Sequence, residues 1–346
     1  MRTWLFKYLW FAFIPASIVL YLVKANPILV FFATLLAVLP LTGLIGRSTR
    51  QLSMSTSTVL GSLLNATFGN AIEFLIAVFA IRAGLIEMVK ASITGSIILN
   101  ILLLIGLSMF AGGLKYREQT FNKDSAGVGS TMLLIAVAGL SMPTIYAVLT
   151  GKSAMLMSES VSAILGITYL LSLVFVLFTH RHRFVAERDT SEYLVWGIRK
   201  SALVLLVSIG LAALEADILI NVLHPLINAA HFSESFAGLV IIAIITNVPE
   251  HLAAITYGWR NNITLSIDIG MNSAIQIALF VVPILVFISP LLGSELTLAF
   301  PPFQMVAMIL SVVIINYIGA DGICNWLEGV QLVAVYIIIA IAFYFI

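Results

Sequence analysis

The chain is short of charge. Only 10% of its 346 residues are charged, 17 Lys and Arg against 16 Asp and Glu, whereas 61% are hydrophobic and the mean hydropathy is +1.11. Soluble domains carry about 25% charged residues, so these charges are too few to solvate a globule of 37.5 kDa. A net charge of +1 also excludes the basic face that a nucleic acid partner would need. We therefore predict a polytopic membrane protein covered mainly by lipid.

Cysteine is scarcer still. The one cysteine, Cys324, forms neither an intramolecular disulfide nor a multi-cysteine metal site. No Gly-rich phosphate loop, Ser/His/Asp constellation or Cys/His cluster stands out in the sequence, so we do not expect an enzyme. A zinc-dependent intramembrane enzyme remains a weak alternative, because Glu73, Glu250 and His251 could bind zinc but lack the usual His-rich ligand set.

Long apolar runs, in contrast, are abundant. A membrane helix needs about 20 mostly apolar residues, and the alternating pattern of a β-barrel is absent. The predicted fold class is thus an all-α polytopic membrane protein with about eleven transmembrane helices, of which the first is expected to be a retained helix and not a cleaved signal. The predicted spans are 4–23, 28–46, 58–82, 90–113, 126–149, 160–178, 197–222, 235–258, 264–290, 302–317 and 328–345.

Basic residues favour one side of these spans. With the N-terminus in the cytoplasm, only Lys24, Arg82, Lys90 and Lys152 fall outside. By the positive-inside rule, the N-terminus is cytoplasmic and the C-terminus outside, and we expect the plasma (inner) membrane of a prokaryote. The inside residues are Arg2, Lys7, Arg47, Arg50, Lys115, Arg117, Lys123, Arg181, Arg183, Arg188, Arg199, Lys200 and Arg260.

The chain contains an internal repeat with one carboxylate in each copy. Asn70 to Glu73 and Asn247 to Glu250 both read Asn-x-x-Glu, and the two Glu residues are 177 positions apart. The following spans match as well, Gly95-Ser96 with Asn100 in one and Asn272-Ser273 with Gln276 in the other. Five spans separate equivalent elements, so the second copy enters the membrane from the opposite side, as in the inverted repeats of many secondary transporters.

This repeat sets the expected domain organisation. Residues 1–27 form an N-terminal helix, 28–178 the first five-helix repeat, 179–196 a cytoplasmic linker and 197–346 the second five-helix repeat.

The paired carboxylates predict a cation site. A carboxylate in hydrocarbon costs several kcal/mol and persists mainly beside a partner, a cavity or an ion, and two of them repel unless a cation or protons neutralise them. Ca²⁺ prefers six to eight oxygen ligands. Glu73 and Glu250 would supply the charge. Neutral oxygens would come from Asn70, Asn247, Thr67, Thr246, Ser96, Asn100, Ser273 and Gln276, although helix packing and hydrogen bonds between helices explain the smaller polar residues equally well.

Gly69 and Pro249 lie close to the key Asn and Glu of each copy. Both residues weaken helices, so we predict a local break at each that would free carbonyl oxygens for coordination, with a kink or simple packing as the alternative. Because one Ca²⁺ and two protons neutralise the same two charges, their binding should be mutually exclusive, which is the basis of antiport.

At these residues the sequence resembles the calcium/proton exchanger family (CAX), within the calcium/cation antiporter superfamily. The run from Asn65 to Glu73 (Asn-Ala-Thr-Phe-Gly-Asn-Ala-Ile-Glu) and the run Gly95 to Asn100 match its first signature. Residues 273–283 are similar to the end of the second signature, and Asp321-Gly322, Asn325-Trp326 and Glu328-Gly329 resemble a further family feature. The resemblance covers nearly the whole chain.

The resemblance implies a secondary transporter that exports Ca²⁺ in exchange for H⁺ by alternating access, with one plus five plus five helices. It implies that Glu73 and Glu250 are the essential carboxylates and that His251 neighbours the second of them. No resident cofactor is implied, because Ca²⁺ and protons are the cargo. The expected partners are Ca²⁺, protons and membrane lipid. A homo-oligomer is compatible with the sequence.

Departures from the family pattern keep a sister function open. Thr246-Asn247-Val248-Pro249 replaces the usual Gly-Asn-Ala-Ala before Glu-His, and Pro before Glu is similar to the sodium/calcium exchangers. Asn70 and His251 favour the proton-coupled branch. A cation channel is a further alternative, since acidic residues also line pores.

Four polar residues also have simple structural interpretations. His251 suits a proton relay through its ordinary pKa near 6.5, but a hydrogen-bonded packing role explains it as well. Glu215 and Asp217 are predicted at a cavity entrance or, equally, at an interface or a loop end. Asp268 is predicted at a helix end.

Overall fold

The structure is a computed structural model that describes residues 10–56, 58–180, 196–230 and 233–345. Arg2, Lys7 and most of the predicted 179–196 linker lie outside the described residues.

The first half of the described chain is a succession of helices. A 3₁₀ turn (Trp10–Ala12) leads into α1, and a six-residue π-helical segment, π1, continues α5 into α6. A second π-helical segment, π2, ends α8. The elements are α1 Phe13–Leu22, α2 Pro27–Met54, α3 Thr58–Phe68, α4 Ala71–Arg82, α5 Ile86–Ile98, π1 Leu99–Leu104, α6 Ile105–Gly113, β1 Gln119–Thr120, α7 Lys123–Thr150, α8 Met155–Val174 and π2 Phe175–Thr179.

The second half follows the same plan. A three-residue helix (Glu234–Phe236) and a π-helical segment, π3, lead into α10, and π4 joins α11 to α12, which ends in a 3₁₀ turn (Ser289–Leu292). The elements are α9 Ile198–Ala230, π3 Ala237–Ile242, α10 Ala243–Trp259, α11 Ile263–Gln276, π4 Ile277–Val281, α12 Val282–Ile288, α13 Pro302–Ile318, β2 Ile323–Cys324 and α14 Trp326–Phe345.

Eight helical segments in the described part of the chain are long and apolar enough to cross a membrane. They are Pro27–Met54, Ile86–Gly113, Lys123–Thr150, Met155–Thr179, Ile198–Ile227, Glu234–Trp259, Ile263–Leu292 and Trp326–Phe345. Two shorter apolar helices cover Trp10–Leu22 and Pro302–Ile318. The predicted 58–82 span is the interrupted pair α3 and α4. The fold is therefore a predominantly helical membrane protein.

The chain forms two compact units, Met1–Leu85 with Asp189–Glu234 and Ile86–Arg188 with Ser235–Ile346. In unit 1, α9 packs along α2, which also contacts α1 and α3. Val30 of α2 meets Ile218 and Val222 of α9 in its core. Asn26 accepts a hydrogen bond from the Ile28 amide at 2.9 Å and Pro27 occupies the first helical position, so the start of α2 is fixed by its sequence.

In unit 2, glycines allow helical segments to approach closely. A Cβ atom on Gly95 of α5 would collide with the backbone of Leu239 in π3, and one on Gly238 would lie 2.5 Å from the carbonyl oxygen of Met88. The glycines let α5 and π3 touch backbone to backbone. The other packed pairs are α6 with α14, α6 with α10, α7 with α11, α7 with α13 and α8 with α12, and β1 pairs antiparallel with β2.

Candidate functional site

The first Asn-x-x-Glu motif lies at a helix break in unit 1. Helix α3 ends at Phe68 and α4 begins at Ala71, as the prediction for Gly69 requires. Asn70, 5% exposed, is the N-cap residue of α4, and its carbonyl accepts from the amide of Phe74 at 3.0 Å. Glu73 follows in the first turn of α4 and is half-buried. A helix N-terminus favours a negative side chain, so the break gives Glu73 a favourable electrostatic position.

Thr67 is placed less favourably for coordination. It lies in the last turn of α3, is exposed, and its hydroxyl donates to the carbonyl of Leu63 at 2.8 Å. That bond occupies its proton but leaves lone pairs on Oγ1. Its role as a ligand stays a prediction.

The predicted break at Pro249 is wrong. Helix α10 runs from Ala243 to Trp259 with Pro249 inside it. Proline removes one backbone N–H, so the carbonyl of Ile245 receives no bond from residue 249 while the helix continues around it. A carbonyl oxygen is thereby released without a break, and the irregular backbone lies earlier, in π3.

A buried polar network in unit 2 joins four elements, α5, π1, α10 and α11. The Asn100 side chain, 0% exposed at the start of π1, donates from Nδ2 to Asn247 Oδ1 at 3.1 Å and to Ser273 Oγ at 2.9 Å. Asn247 in turn donates to the carbonyl of Ala243 at 2.9 Å, and its Nδ2 also lies 3.1 Å from Thr246 Oγ1 and 3.4 Å from Ser96 Oγ. Five predicted site residues are therefore in one network: Ser96, Asn100, Thr246, Asn247 and Ser273.

The amide oxygen of Asn100 is the exception in this network. Both side-chain hydrogen bonds of Asn100 leave from Nδ2, and Oδ1 is buried with no hydrogen-bond partner among the described residues. A buried acceptor without a donor costs about 1–3 kcal/mol. A hard cation would satisfy it, because amide oxygens are ligands for such ions.

Asn100 also lies in irregular backbone. It is the second residue of π1, and π4 begins directly after Gln276 on α11. The repeat spacing of 177 maps Leu99 onto Gln276, so the two π-helical segments occupy equivalent places in the two copies. Single-turn π-helical segments often occur at functional sites.

The remaining predicted residues flank the network. Glu250 is half-buried and follows Asn247 by three residues on α10. His251 Nδ1 lies 2.8 Å from the carbonyl of Asn247 and must donate to it, because a carbonyl only accepts. Gln276 lines a cavity beside α7 and α8. The relay role of His251 remains a prediction.

Lys90 is a cation that the sequence places only at the edge of a span. It is buried in α5, where it donates to the carbonyl of Ala299 at 2.7 Å and pairs with Glu87 at 3.2 Å. At 1.5 Å per residue, Asn100 lies about 15 Å further along the helical segment, so Lys90 does not neutralise the network.

Two carboxylate contacts, one buried and one partly buried, were not predicted. Glu215, 0% exposed, lies inside α9 and accepts from Ser17 of α1 at 2.7 Å, which places it in the core of unit 1 and not at an entrance. Asp268 lies inside α11 and accepts from Ser125 of α7 at 2.8 Å, so the expected helix end is wrong. An acid within an apolar run is visible in the sequence, but a partner 198 or 143 residues away is not. No cluster of three or more His, Cys, Asp or Glu side chains suited to a metal occurs among the described residues.

Comparison with known proteins identifies the family. The family model for the sodium/calcium exchanger protein matches residues 26–178 and 200–345. The Ca²⁺/H⁺ antiporter of Aphanothece halophytica is 34% identical, over 96% of this chain and 94% of that protein. The Ca²⁺/H⁺ antiporter ChaA of Bacillus subtilis is 35% identical over 96% of each chain.

A solved structure agrees over the full length. The crystal structure of the selenium-substituted Ca²⁺/H⁺ antiporter protein YfkE has a TM-score of 0.85 and 32% identity, covering 100% of both chains. The predicted resemblance to calcium/proton exchangers is confirmed, and this chain belongs to the sodium/calcium exchanger family of membrane proteins.

Proposed function

We propose that this protein is a secondary transporter that exports Ca²⁺ in exchange for H⁺ by alternating access. Glu73 and Glu250 bind either Ca²⁺ or protons, and the neutral oxygens of the Asn100 network complete the ligand set for the metal. The relatives named above are Ca²⁺/H⁺ antiporters at about one-third identity over their full length, which supports this substrate pair.

The observation that carries the proposal is the free acceptor of Asn100. Its Oδ1 is buried with no hydrogen-bond donor among the described residues, and its partner Asn247 is three residues before Glu250 on α10. A helix turn holds 3.6 residues, so the carboxylate and the network occupy adjoining levels of one helix. A buried amide oxygen without a hydrogen-bond donor, on a network next to a carboxylate-bearing turn, is better explained by cation binding than by helix packing alone.

The two Asn-x-x-Glu motifs provide the charge. Glu73 lies in the first turn of α4 and Glu250 lies within α10, in apolar spans where a lone negative charge is costly. One Ca²⁺ neutralises two carboxylates, and so do two protons. Each cargo therefore excludes the other, and transport in one direction requires the opposite movement of the other ion.

Helix packing supports an inverted repeat. With the spacing of 177, α2 corresponds to α9 and α7 to α13, and each of these equivalent pairs is in contact. The pair α8 with α12 corresponds to the pair α14 with α6, and both are in contact. Exchanging the two copies therefore turns each of these helix contacts into another observed contact, as expected for two repeats related by a two-fold axis. Alternating access in transporters depends on this organisation. We further propose eleven spans in the inner membrane of a prokaryote, with a cytoplasmic N-terminus and an external C-terminus.

Flux in proteoliposomes tests the function. Vesicles with an acidic lumen should accumulate Ca²⁺ through the wild-type protein, because protons leave as Ca²⁺ enters. Glu73→Gln and Glu250→Gln remove a charge without changing shape, and each should abolish uptake. Glu118→Gln, which changes an exposed acid outside both motifs, is the matched control and should transport normally.

Ion substitution distinguishes Ca²⁺/H⁺ exchange from the sister function, Na⁺/Ca²⁺ exchange. Na⁺-driven Ca²⁺ exchange is favoured by one feature, the Pro249-Glu250 pair, which is similar to the sodium/calcium exchangers. Uptake that needs a Na⁺ gradient and ignores the pH difference would select that function. Uptake that survives both Glu→Gln changes would refute the carboxylate assignment.

A further inference from the structure

A polar cavity in unit 2 lies outside the network described above. It has a volume of about 220 Å³ and is bounded by α7, α8 and α11. Its polar lining includes Asn122, Ser125, Thr264, Asp268, Asn272 and Gln276. At about 30 Å³ per water, a cavity of this volume has room for several water molecules.

One face of α11 supplies the polar wall of this cavity. Thr264, Asp268, Asn272 and Gln276 recur every four residues, so they lie along one side of the helix. The stripe begins one residue after the start of α11 and ends at Gln276, three residues beyond the network residue Ser273. The cavity thus extends along α11 from the N-terminal end of the helix toward the network residue Ser273.

The exposed side chain of Asn272 favours a water-filled cavity. It lies ten residues into the 30-residue span Ile263–Leu292, about 14 Å along the helix, yet its side chain is exposed and has no hydrogen-bond partner among the described residues. An amide facing lipid without a partner costs several kcal/mol. Water in the cavity removes that cost.

Asp268 gives the cavity its charge. Its Oδ1 accepts from Ser125 Oγ at 2.8 Å, and no Lys, Arg or His is among the described residues that line the cavity. A cleft with low-dielectric walls and one sign of charge concentrates counter-ions. The chemistry selects a hydrated cation and repels anions.

We propose that this cavity is the vestibule through which a hydrated divalent cation enters from the side where α7 and α11 begin, and that Asp268 recruits the cation before it reaches Gln276. The basic residues Lys115, Arg117 and Arg260 precede these helices, and the positive-inside rule makes that side cytoplasmic. The inference rests on the proposed function, since a vestibule on this side supplies the ion that is exported.

Thiol labelling tests the wet cavity without relying on transport. In inside-out vesicles, Asn272→Cys should react with a membrane-impermeant cationic thiol reagent, and millimolar Ca²⁺ should slow the reaction several-fold. Ala91→Cys is the matched control, because Ala91 occupies the position equivalent to Asp268 in the other copy and is 0% exposed. Native Cys324 contributes little background, because burial together with the Glu328 and Asp321 carboxylates raises its pKa to about 12. An unreactive Asn272→Cys would overturn the vestibule.

Kinetics test Asp268 itself. Asp268→Asn should raise the KM for Ca²⁺ about five- to tenfold at low ionic strength and leave the maximal rate within about twofold of wild type. The difference in KM between the variant and wild type should shrink at high salt, because screening weakens recruitment. Asp268→Glu should behave as wild type, and Glu118→Gln should leave KM unchanged. An unchanged KM in Asp268→Asn overturns the recruiting role while the proposed function stands. A wild-type protein that fails to take up Ca²⁺ overturns the proposed function instead.

Discussion

The two helices that follow the Asn-x-x-Glu motifs share a backbone plan but differ in one face. Ile86–Gly113 and Ile263–Leu292 both consist of a helix, a π-helical segment and a second helix, and the spacing of 177 maps Ile86 onto Ile263. In the apolar 18-residue stretch of each span, 83% of the first is buried within the protein and 56% of the second.

The difference lies in the residues of one stripe. Ala91, Gly95 and Leu99 in the first copy stand where Asp268, Asn272 and Gln276 stand in the second. The small and apolar side chains let α5 pack against π3, whereas the polar ones face a cavity. Equivalent backbones therefore give a closed contact in one copy and a cavity in the other, and the side chains decide which.

Filling the closed contact should have the largest effect. Gly95→Val places carbon atoms where the backbone of Leu239 lies, and backbone cannot move aside as a flexible side chain would. We expect the free energy of unfolding to fall by about 3 kcal/mol, the upper end for overpacked cores, or the protein not to fold. Thermal unfolding in detergent measures this.

The repeat supplies its own control. Asn272→Val at the equivalent position enters the open cavity and should unfold within a few degrees of wild type. Equal destabilisation of the two variants would contradict the contrast between a closed and an open face.

Removing the Asn100 amide should have a smaller effect on stability. Asn100→Leu keeps the branched shape of the side chain but removes two donated hydrogen bonds and leaves Asn247 Oδ1 without its donor. Unsatisfied buried groups cost about 1–3 kcal/mol, so we expect a loss of about 2 kcal/mol, measured by denaturant unfolding. Stabilisation of the protein by added Ca²⁺ should be lost in the same variant.

A neighbouring apolar change calibrates that result. Ile277→Leu alters the aligned position in the second copy, which is 1% exposed, and conserves volume, so it should cost less than about 1.5 kcal/mol and keep the response to Ca²⁺. An Asn100→Leu protein that Ca²⁺ still stabilises fully would remove Asn100 from the ligand set.

The sequence predicts the repeat and the helix break at Gly69, but not the whole site. Glycine and a following asparagine end a helix through local preferences, which are visible in the sequence. Pro249 carries an equally local signal, yet its missing N–H costs one hydrogen bond, and the surrounding helix α10 absorbs it. The π-helical segments add one residue to a turn without changing composition, so hydropathy does not reveal them.

Contacts between residues far apart in the chain are the second feature of the site that the sequence does not predict. Asn100 and Asn247 are 147 residues apart, and Ser17 and Glu215 are 198 apart. Their types mark them as polar residues in apolar spans, but only the fold decides which of them meet. The same limit applies to Asp268, whose partner Ser125 lies on another helix.

Proton movement driven by Ca²⁺ tests the central claim most directly. Vesicles loaded with a pH-sensitive dye, with equal pH on both sides and Ca²⁺ added outside, should become alkaline inside through the wild-type protein as Ca²⁺ enters, and should show no change through Glu73→Gln or Glu250→Gln. Ca²⁺ entry at the wild-type rate with a constant internal pH would contradict exchange for protons.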